Sequence, residues 1–203
     1  MGVTQLDKLR AAAEGFHSLL DIQYHIVIGR KGKAVDLTVE FKPMDFHHLM
    51  GLGKLKDLRI ATQNREFVFS EVLNGHISYS FISSSRYIQK IENRFIPLAH
   101  IEQIFDDNHL IFRYNAKKQK FSMIEADYLL STLFSGNDIY VFLQEKTPSG
   151  LYFCRSFFPK EQKDYTVGQP QFTLLLKEKI VLSTGRKIVQ YDRHTERKKK
   201  NDL

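Results

Sequence analysis

The feature that most constrains this chain is a change of hydrophobic period near Asp107. Before it, one hairpin-like stretch aside, apolar residues recur every three or four positions, as on the buried stripe of a helix. After it they alternate, or run in short branched and aromatic blocks bounded by turn residues, as strands do. Helices first and hairpin-connected strands second predict an α+β fold, with N-terminal and middle helices packed on a largely antiparallel β-sheet. At 203 residues one domain is expected.

Leu6, Leu9, Ala13, Phe16 and Leu20 place a docked helix at the start, ending near Asp21. Ile22 to Ile28 and Val35 to Phe41 read as a β-hairpin whose tip, "GRKGK", is basic. Pro43 suits the first turn of a following helix, where its missing N–H has no helical partner anyway. Phe67 to Leu73 predict a short helix stopped by Asn74 and Gly75. A longer one is predicted from Arg86, capped by Ser85, with Ile88, Ile91, Phe95, Leu98, Ile101 and Phe105 as its stripe. Pro97 should kink or break it near Arg94. The strands are expected at His109 to Tyr114, Lys120 to Ile124, Asp138 to Lys146, Leu151 to Phe158 and Gln171 to Leu182.

The formal charge is +7, yet residues 186–203 hold seven Lys or Arg against three Asp or Glu, so +4 of it lies there. We expect a domain over 1–185 and a basic, flexible tail over 186–203, either solvated or serving as a phosphate-binding arm. The opening residues mix charges and apolar positions, unlike a secretion signal, and no apolar run is long enough to cross a bilayer. A cytoplasmic protein without a membrane partner is the expectation. A single cysteine, Cys154, forbids an intramolecular disulfide and a cysteine-rich zinc site. Within "LYFCRSFF" it reads as a buried, inert thiol.

The stretch "PMDFHHLMGLGKLKDLRIA" carries the chemistry worth weighing. On a helix, Phe46, Leu49, Met50 and Gly53 share one side, and His47 and His48 diverge by about 100°. Neighbouring histidines cannot both face one small ligand, and no His-x-x-x-His spacing is present, so no metal site and no cofactor are expected. One reading leaves His47 solvated and His48 satisfying a backbone carbonyl at the helix edge. The other makes one histidine a proton-transfer group, with nearby lysines stabilising phosphate charge. Phosphate loops, dinucleotide fingerprints and serine-hydrolase elbows are absent from the sequence. Strict alternation in "LYFCRSFF" would put Ser156 with Tyr152, Cys154 and Phe158, and Arg155 among large apolar side chains. Ser156 and Arg94 are polar oddities in apolar segments, by default structural.

"FHHLMGLGKLKDL" resembles the Phe-x-His-Leu-x-Gly-Leu-x-Lys-Leu-Lys-Asp segment of the fourth phage-associated branch of the barnase, EndoU, colicin and RelE like nucleases. The preceding hairpin, "ENRFIPLAHIEQIF", "IEADYLL" and "RSFFPKEQKDYTVGQ" extend the resemblance from about Tyr24 to Leu182. It implies a metal-independent RNase on an α+β scaffold, carried by mobile elements and sometimes used as a toxin. The family histidine would fall on His48, its lysines on Lys54 and Lys56, its arginine on Arg94 and its serine on Ser156. His47 would then be dispensable. No second histidine or glutamate stands out as acid or base partner. The implied reaction is attack of the ribose 2′-hydroxyl on the adjacent phosphate, giving a cyclic phosphate, with His48, Lys54, Arg94 and Ser156 catalytic. Lys31, Lys33, Lys56, Lys117 and Lys118 are the candidates for nucleic-acid contacts. RNA is the expected partner, with an inhibitor or immunity protein as a second. The rival reading is a non-catalytic nucleic-acid- or protein-binding module of a mobile element.

Overall fold

The computed structural model describes residues 7–107, 110–119 and 122–195. The first helix, α1 (Lys8–His17), is capped by Asp7, whose carboxylate accepts the N–H groups of Leu9 and Arg10. A 3₁₀ turn over Ser18–Asp21 then hands the chain to β1 (Ile22–Arg30). Leu9, Ala12, Ala13 and Phe16 are buried, as the sequence period requires, while Leu6 lies outside the described residues. Gly15 is placed by close approach: a Cβ there would lie 2.2 Å from the carbonyl oxygen of Ala99.

Strands β1 and β2 (Lys33–Glu40) form the expected hairpin around a two-residue turn, Lys31-Gly32, in which both residues have positive φ. Helices α2 (Pro43–Met50), α3 (Arg65–Leu73) and α4 (Tyr79–Ile82) follow. Asn74 and Gly75 end α3 as predicted, Gly75 at φ 79°. The long helix expected from Arg86 is instead broken throughout. It consists of 3₁₀ turns over Ile88–Lys90 and Glu92–Arg94, then α5 (Phe95–Ala99) and α6 (Ile101–Asp106). Ser85 Oγ still accepts the Tyr87 N–H, and the interruption at Arg94 is where Pro97 should produce it.

The remaining strands are β3 (Leu110–Arg113), β4 (Tyr128–Phe134), β5 (Asn137–Glu145), β6 (Leu151–Pro159), β7 (Gln171–Val181) and β8 (Arg186–Asp192). Hydrogen bonding runs in the order β1-β2-β6-β5-β4-β3-β7-β8, and β7 also pairs with β1. Seven strands therefore close into a barrel, a closure that the expected largely antiparallel sheet did not include. The pairing is antiparallel except between β2 and β6. Closure is possible because β7 is long: its first residues hold β3, the opposite edge holds β1, and β8 joins farther along.

Three further sequence expectations are corrected. β4 went unseen because its first five residues are all buried, so it shows no alternation to read. Of the strand expected at Lys120 to Ile124, Lys120 and Phe121, like His109, lie outside the described residues, and Ser122 to Ile124 have no regular structure. The basic tail does not begin at 186, since Arg186–Asp192 is a strand; residues 196–203 lie outside the described residues. Half-buried Ile188 and Gln190 with exposed Val189 between them fit an edge strand better than a solvated arm.

One large core joins the helices to one face of the strands, with Phe16, Phe46 and Phe69 in mutual ring contact. A smaller aromatic cluster of Phe112, Tyr114, Leu129, Tyr140 and Phe142 covers the other face of β3 to β5, packed under Phe158 and Tyr165. Lys177, fully buried, donates from Nζ to the carbonyls of Asp106 and Asp107, where the C-terminal dipole of α6 favours a cation. The candidate site lies where the two clusters meet, on β6.

Candidate functional site

Helix α2 begins at Pro43, and the carboxylate of Asp45 accepts the Lys42 N–H at 2.8 Å. It ends at Gly51, whose φ of 80° suits glycine in the left-handed region. Phe46, Leu49 and Met50 enter the core. The two histidines therefore diverge, but not as expected. His47 is buried, at 4% exposure, and its Nε2–H donates to the Ile60 carbonyl at 2.9 Å. Burial and the Arg65 charge lower its pKa, so it is a neutral, buried histidine and not the solvated one. His48 reaches outward to β6, where its Nε2–H donates to the Arg155 carbonyl.

That carbonyl is available because β6 is bulged. Phe142 pairs with Ser156 and Leu143 with Cys154, leaving Arg155 without a partner on β5. The bulge also breaks the alternation assumed from sequence. Cys154 and Phe157 both enter the large core, while Ser156 and Phe158 line the cleft beside it. Burial raises the Cys154 thiol pKa well above its ordinary value, as an inert thiol requires.

Arg94 comes from the broken segment before α5 and runs beneath the end of α2. Its Nη1–H donates to the Leu49 carbonyl at 2.8 Å, one of the carbonyls a helix end leaves without an internal partner. Arg94 is only 6% exposed, its guanidinium carbon stands 5.6 Å from the Phe158 ring centre, and Nε has no hydrogen-bond partner among the described residues. Gly51 makes room for it: a Cβ there would come within 3.4 Å of the guanidinium and 3.0 Å of Ile91.

These elements enclose a cleft of about 320 Å³ lined by Lys54, Lys90, Asn93, Arg94, Ile124, Ser156, Phe158, Glu161 and Tyr165. Lys54, Arg94 and Ser156, distant in sequence, converge there. Desolvation, then the positive charges of Arg94 and Lys90, pull the Lys54 ammonium down to about 8, with Glu161 opposing. Burial lowers Arg94 to about 10, again opposed by Glu161, so the guanidinium keeps its charge at neutral pH. The loop after β6 is fixed by Asp164, which accepts Lys160 Nζ at 2.7 Å, Thr166 N–H at 2.9 Å and Tyr140 O–H at 3.1 Å. Glu161 is steadied by Asn93, whose Nδ2–H donates to it at 2.6 Å. Three cations, the hydroxyl-bearing Ser156 and Tyr165 and one carboxylate stand around a partly apolar floor, an arrangement that can receive an anion.

The other sequence candidates are placed differently. His48 stands beside the cleft, coupled to it through Arg155 but not lining it. Desolvation and the charges of Arg155, Arg65 and Arg94 lower its pKa, with the Arg155 carbonyl opposing, so the imidazole is neutral at pH 7. Lys56 is exposed and outside the lining. Lys31 and Lys33 sit at the hairpin tip, away from the cleft. Thr38 pairs in parallel with Leu151, so Lys33 lies five residues before that level and Ser156 five after it, about 30 Å of strand apart. Lys117 and Lys118 occupy a 3₁₀ turn behind the Tyr165 loop, where Lys118 Nζ donates to the Gly168 carbonyl at 2.7 Å. Among the described residues no three His, Cys, Asp or Glu side chains cluster as a metal site would need, and no helix is long and apolar enough to cross a membrane.

Sequence reasoning missed Lys90, Asn93, Glu161 and Tyr165. Glu161 had a signal available: it lies in "RSFFPKEQKDYTVGQ", five residues after Ser156. What hid it was its place on a loop, whose course no periodicity predicts.

No curated protein and no solved structure matches the chain. Residues 8–194 match the family described as phage-Barnase-EndoU-ColicinE5/D-RelE like nuclease4, a span that holds every residue of the cleft. With a barrel wrapped by helices and a cationic cleft on β6, the chain belongs to this phage-associated nuclease-like family.

Proposed function

We propose that the protein is an endoribonuclease that cleaves RNA without a metal, by attack of a ribose 2′-hydroxyl on the adjacent phosphate. The observation that carries this reading is the convergence of Lys54, Arg94 and Ser156 in one cleft with Glu161 beside them. Arg94 supplies a fixed charge for the phosphate, its guanidinium held in place by the Leu49 carbonyl. Ser156 orients a second oxygen. The Glu161 carboxylate takes the proton from the 2′-hydroxyl, and Lys54, with a pKa of about 8, returns one to the departing 5′-oxygen. The cyclic phosphate forms as the 5′-oxygen leaves, so charge and protons balance. His48 holds the Arg155 bulge and thereby the position of Ser156.

A second reading gives His48 the base role. Its bond to the Arg155 carbonyl fixes the proton on Nε2 and leaves Nδ1 as an acceptor, the usual way a carbonyl orients a catalytic imidazole. Gln at position 48 separates the two, because its amide can donate to Arg155 but cannot accept a proton. Activity in His48→Gln and loss in His48→Ala make it a positioning residue; equal loss makes it the base.

The deciding experiment compares an RNA oligonucleotide with the same sequence carrying 2′-deoxyribose at the cleaved position. Cleavage of the first only, with a 2′,3′-cyclic phosphate end that survives excess chelator, is expected. Cleavage of both, or activity restored only by added divalent metal, rejects the mechanism. Binding of RNA without cleavage favours the non-catalytic module.

A further inference from the structure

Across Asn93 and Glu161 from the cationic cleft lies a second cavity of about 520 Å³, and these two residues line both. Its character is opposite. Ile96, Pro97, Phe134, Ile139 and Pro159 give it an apolar surface, and Ile96 stands 67% exposed at its edge. Single exposed apolar residues are ordinary, but one that continues a concave apolar surface marks a binding place. The rim is polar, with Ser135 and Asn137 at the turn between β4 and β5.

We propose that this cavity holds the nucleobase next to the phosphate in the cleft; the assignment rests on the phosphate-cleaving reading above. A nucleotide carries its base one sugar away from its phosphate, the scale of two cavities that share a wall. A base has two apolar faces and a polar edge. Phe134 and the proline and isoleucine side chains suit the faces, and the Asn137 amide, with both donor and acceptor, suits the edge.

The cavity is built rather than left over. Ser135 and Gly136 both have positive φ, 49° and 81°, which makes the turn tight and sets Phe134 opposite Asn137. Phe134 also packs against His100, ring centres 5.5 Å apart. Lys160 on the facing side is held by Asp138 and Asp164. The Asn93 to Glu161 bond closes the shared wall at 2.6 Å.

The test titrates the full chain with inorganic phosphate, ribose 5-phosphate and the four nucleoside 3′-monophosphates, followed by calorimetry and by amide NMR shifts. Nucleotides are expected to bind about tenfold tighter than ribose 5-phosphate, a usual gain for one stacked base. They should shift Ile96 and Phe134 as well as the cleft residues, whereas phosphate shifts the cleft alone. Ile96→Asn, a neutral change at an exposed position that does not endanger folding, should remove the nucleotide gain and leave ribose 5-phosphate binding unchanged. Equal affinity for nucleotides and ribose 5-phosphate, both lost in Lys54→Met, would reject the base site while the cleft reading stands. No phosphate binding by any probe would reject both.

Discussion

The cleft on β6 and the tip of the β1–β2 hairpin are both basic, and they differ in what surrounds the charge. At the tip, Arg30, Lys31 and Lys33 face Arg193 and His194 across an open groove of about 440 Å³, and nothing lies within 4 Å of where a Gly32 Cβ would stand. In the cleft, Arg94 is buried under α2, Lys54 is partly desolvated, and a carboxylate and a hydroxyl stand with them. Exposed cations attract any polyanion and are screened by salt. Desolvated, converging ones stabilise charge that appears at one place. Counting lysines cannot tell the two apart.

The largest expected effect breaks the comparison by chemistry. Lys54→Met should lower kcat/KM for RNA by about 10²- to 10³-fold, the usual cost of losing a general acid or a charge-stabilising group. Because Lys54 as a residue is exposed, the thermal midpoint should hardly move. In the unaltered protein the rate should fall as pH rises through about 8, where Lys54 loses its proton. A rate flat from pH 7 to 9.5 would remove Lys54 from proton transfer.

A second effect concerns stability within the cleft's own helix. His47→Ala removes a buried donor and strands the Ile60 carbonyl, so a loss of about 1 to 3 kcal/mol is expected in denaturant unfolding. His48→Gln should cost far less. Equal stability of the two variants would mean that the buried and outward histidines are not distinguished as described.

The third probes the hairpin. Lys31→Ala with Lys33→Ala should weaken RNA binding several-fold at low salt and flatten the salt dependence by about 1.4 in slope, at about 0.7 per phosphate contact on a single strand. Catalysis at saturating RNA should stay within about twofold. A loss of turnover comparable to Lys54→Met would join the two regions into one site.

The smallest effect lies on the hairpin strand. His25 is bonded to Glu178 through Nδ1 and to Asp36 through Nε2, both at 3.0 Å. Its pKa is raised, with desolvation as the largest single influence, which lowers it, outweighed by the two carboxylates together. A raised folded-state value means the contribution is complete below the ordinary imidazole value of about 6.5 and is lost as pH climbs through the raised one. His25→Gln should therefore lower the melting temperature by a degree or so at pH 5.5 and by less at pH 8.5, a partly exposed pair contributing only about 0.2 to 1 kcal/mol. A larger difference at the higher pH would reverse the sign and refute the assignment.

Read alone, the sequence determined what depends on nearest neighbours along the chain. The helix period of Leu9 to Phe16, the turn at Lys31 and Gly32, Pro43 opening α2, the stop at Asn74 and Gly75, and the break near Arg94 are all local steric or hydrogen-bonding consequences, and each is where the residues place it. The resemblance carried by "FHHLMGLGKLKDL" also led to the family, because a short motif is local too. Tertiary structure decided the rest. Closing seven strands depends on β7 finding β1 and β3 at once, pairings that no periodicity encodes. Which histidine is buried depends on the Ile60 carbonyl reaching α2, and which face Ser156 takes depends on one unpaired residue in β6. Glu161 stands opposite Lys54 and Arg94 only because Asp164 folds its loop back onto Tyr140. Contacts between distant segments carry these choices, and their energies appear only once the chain has closed on itself.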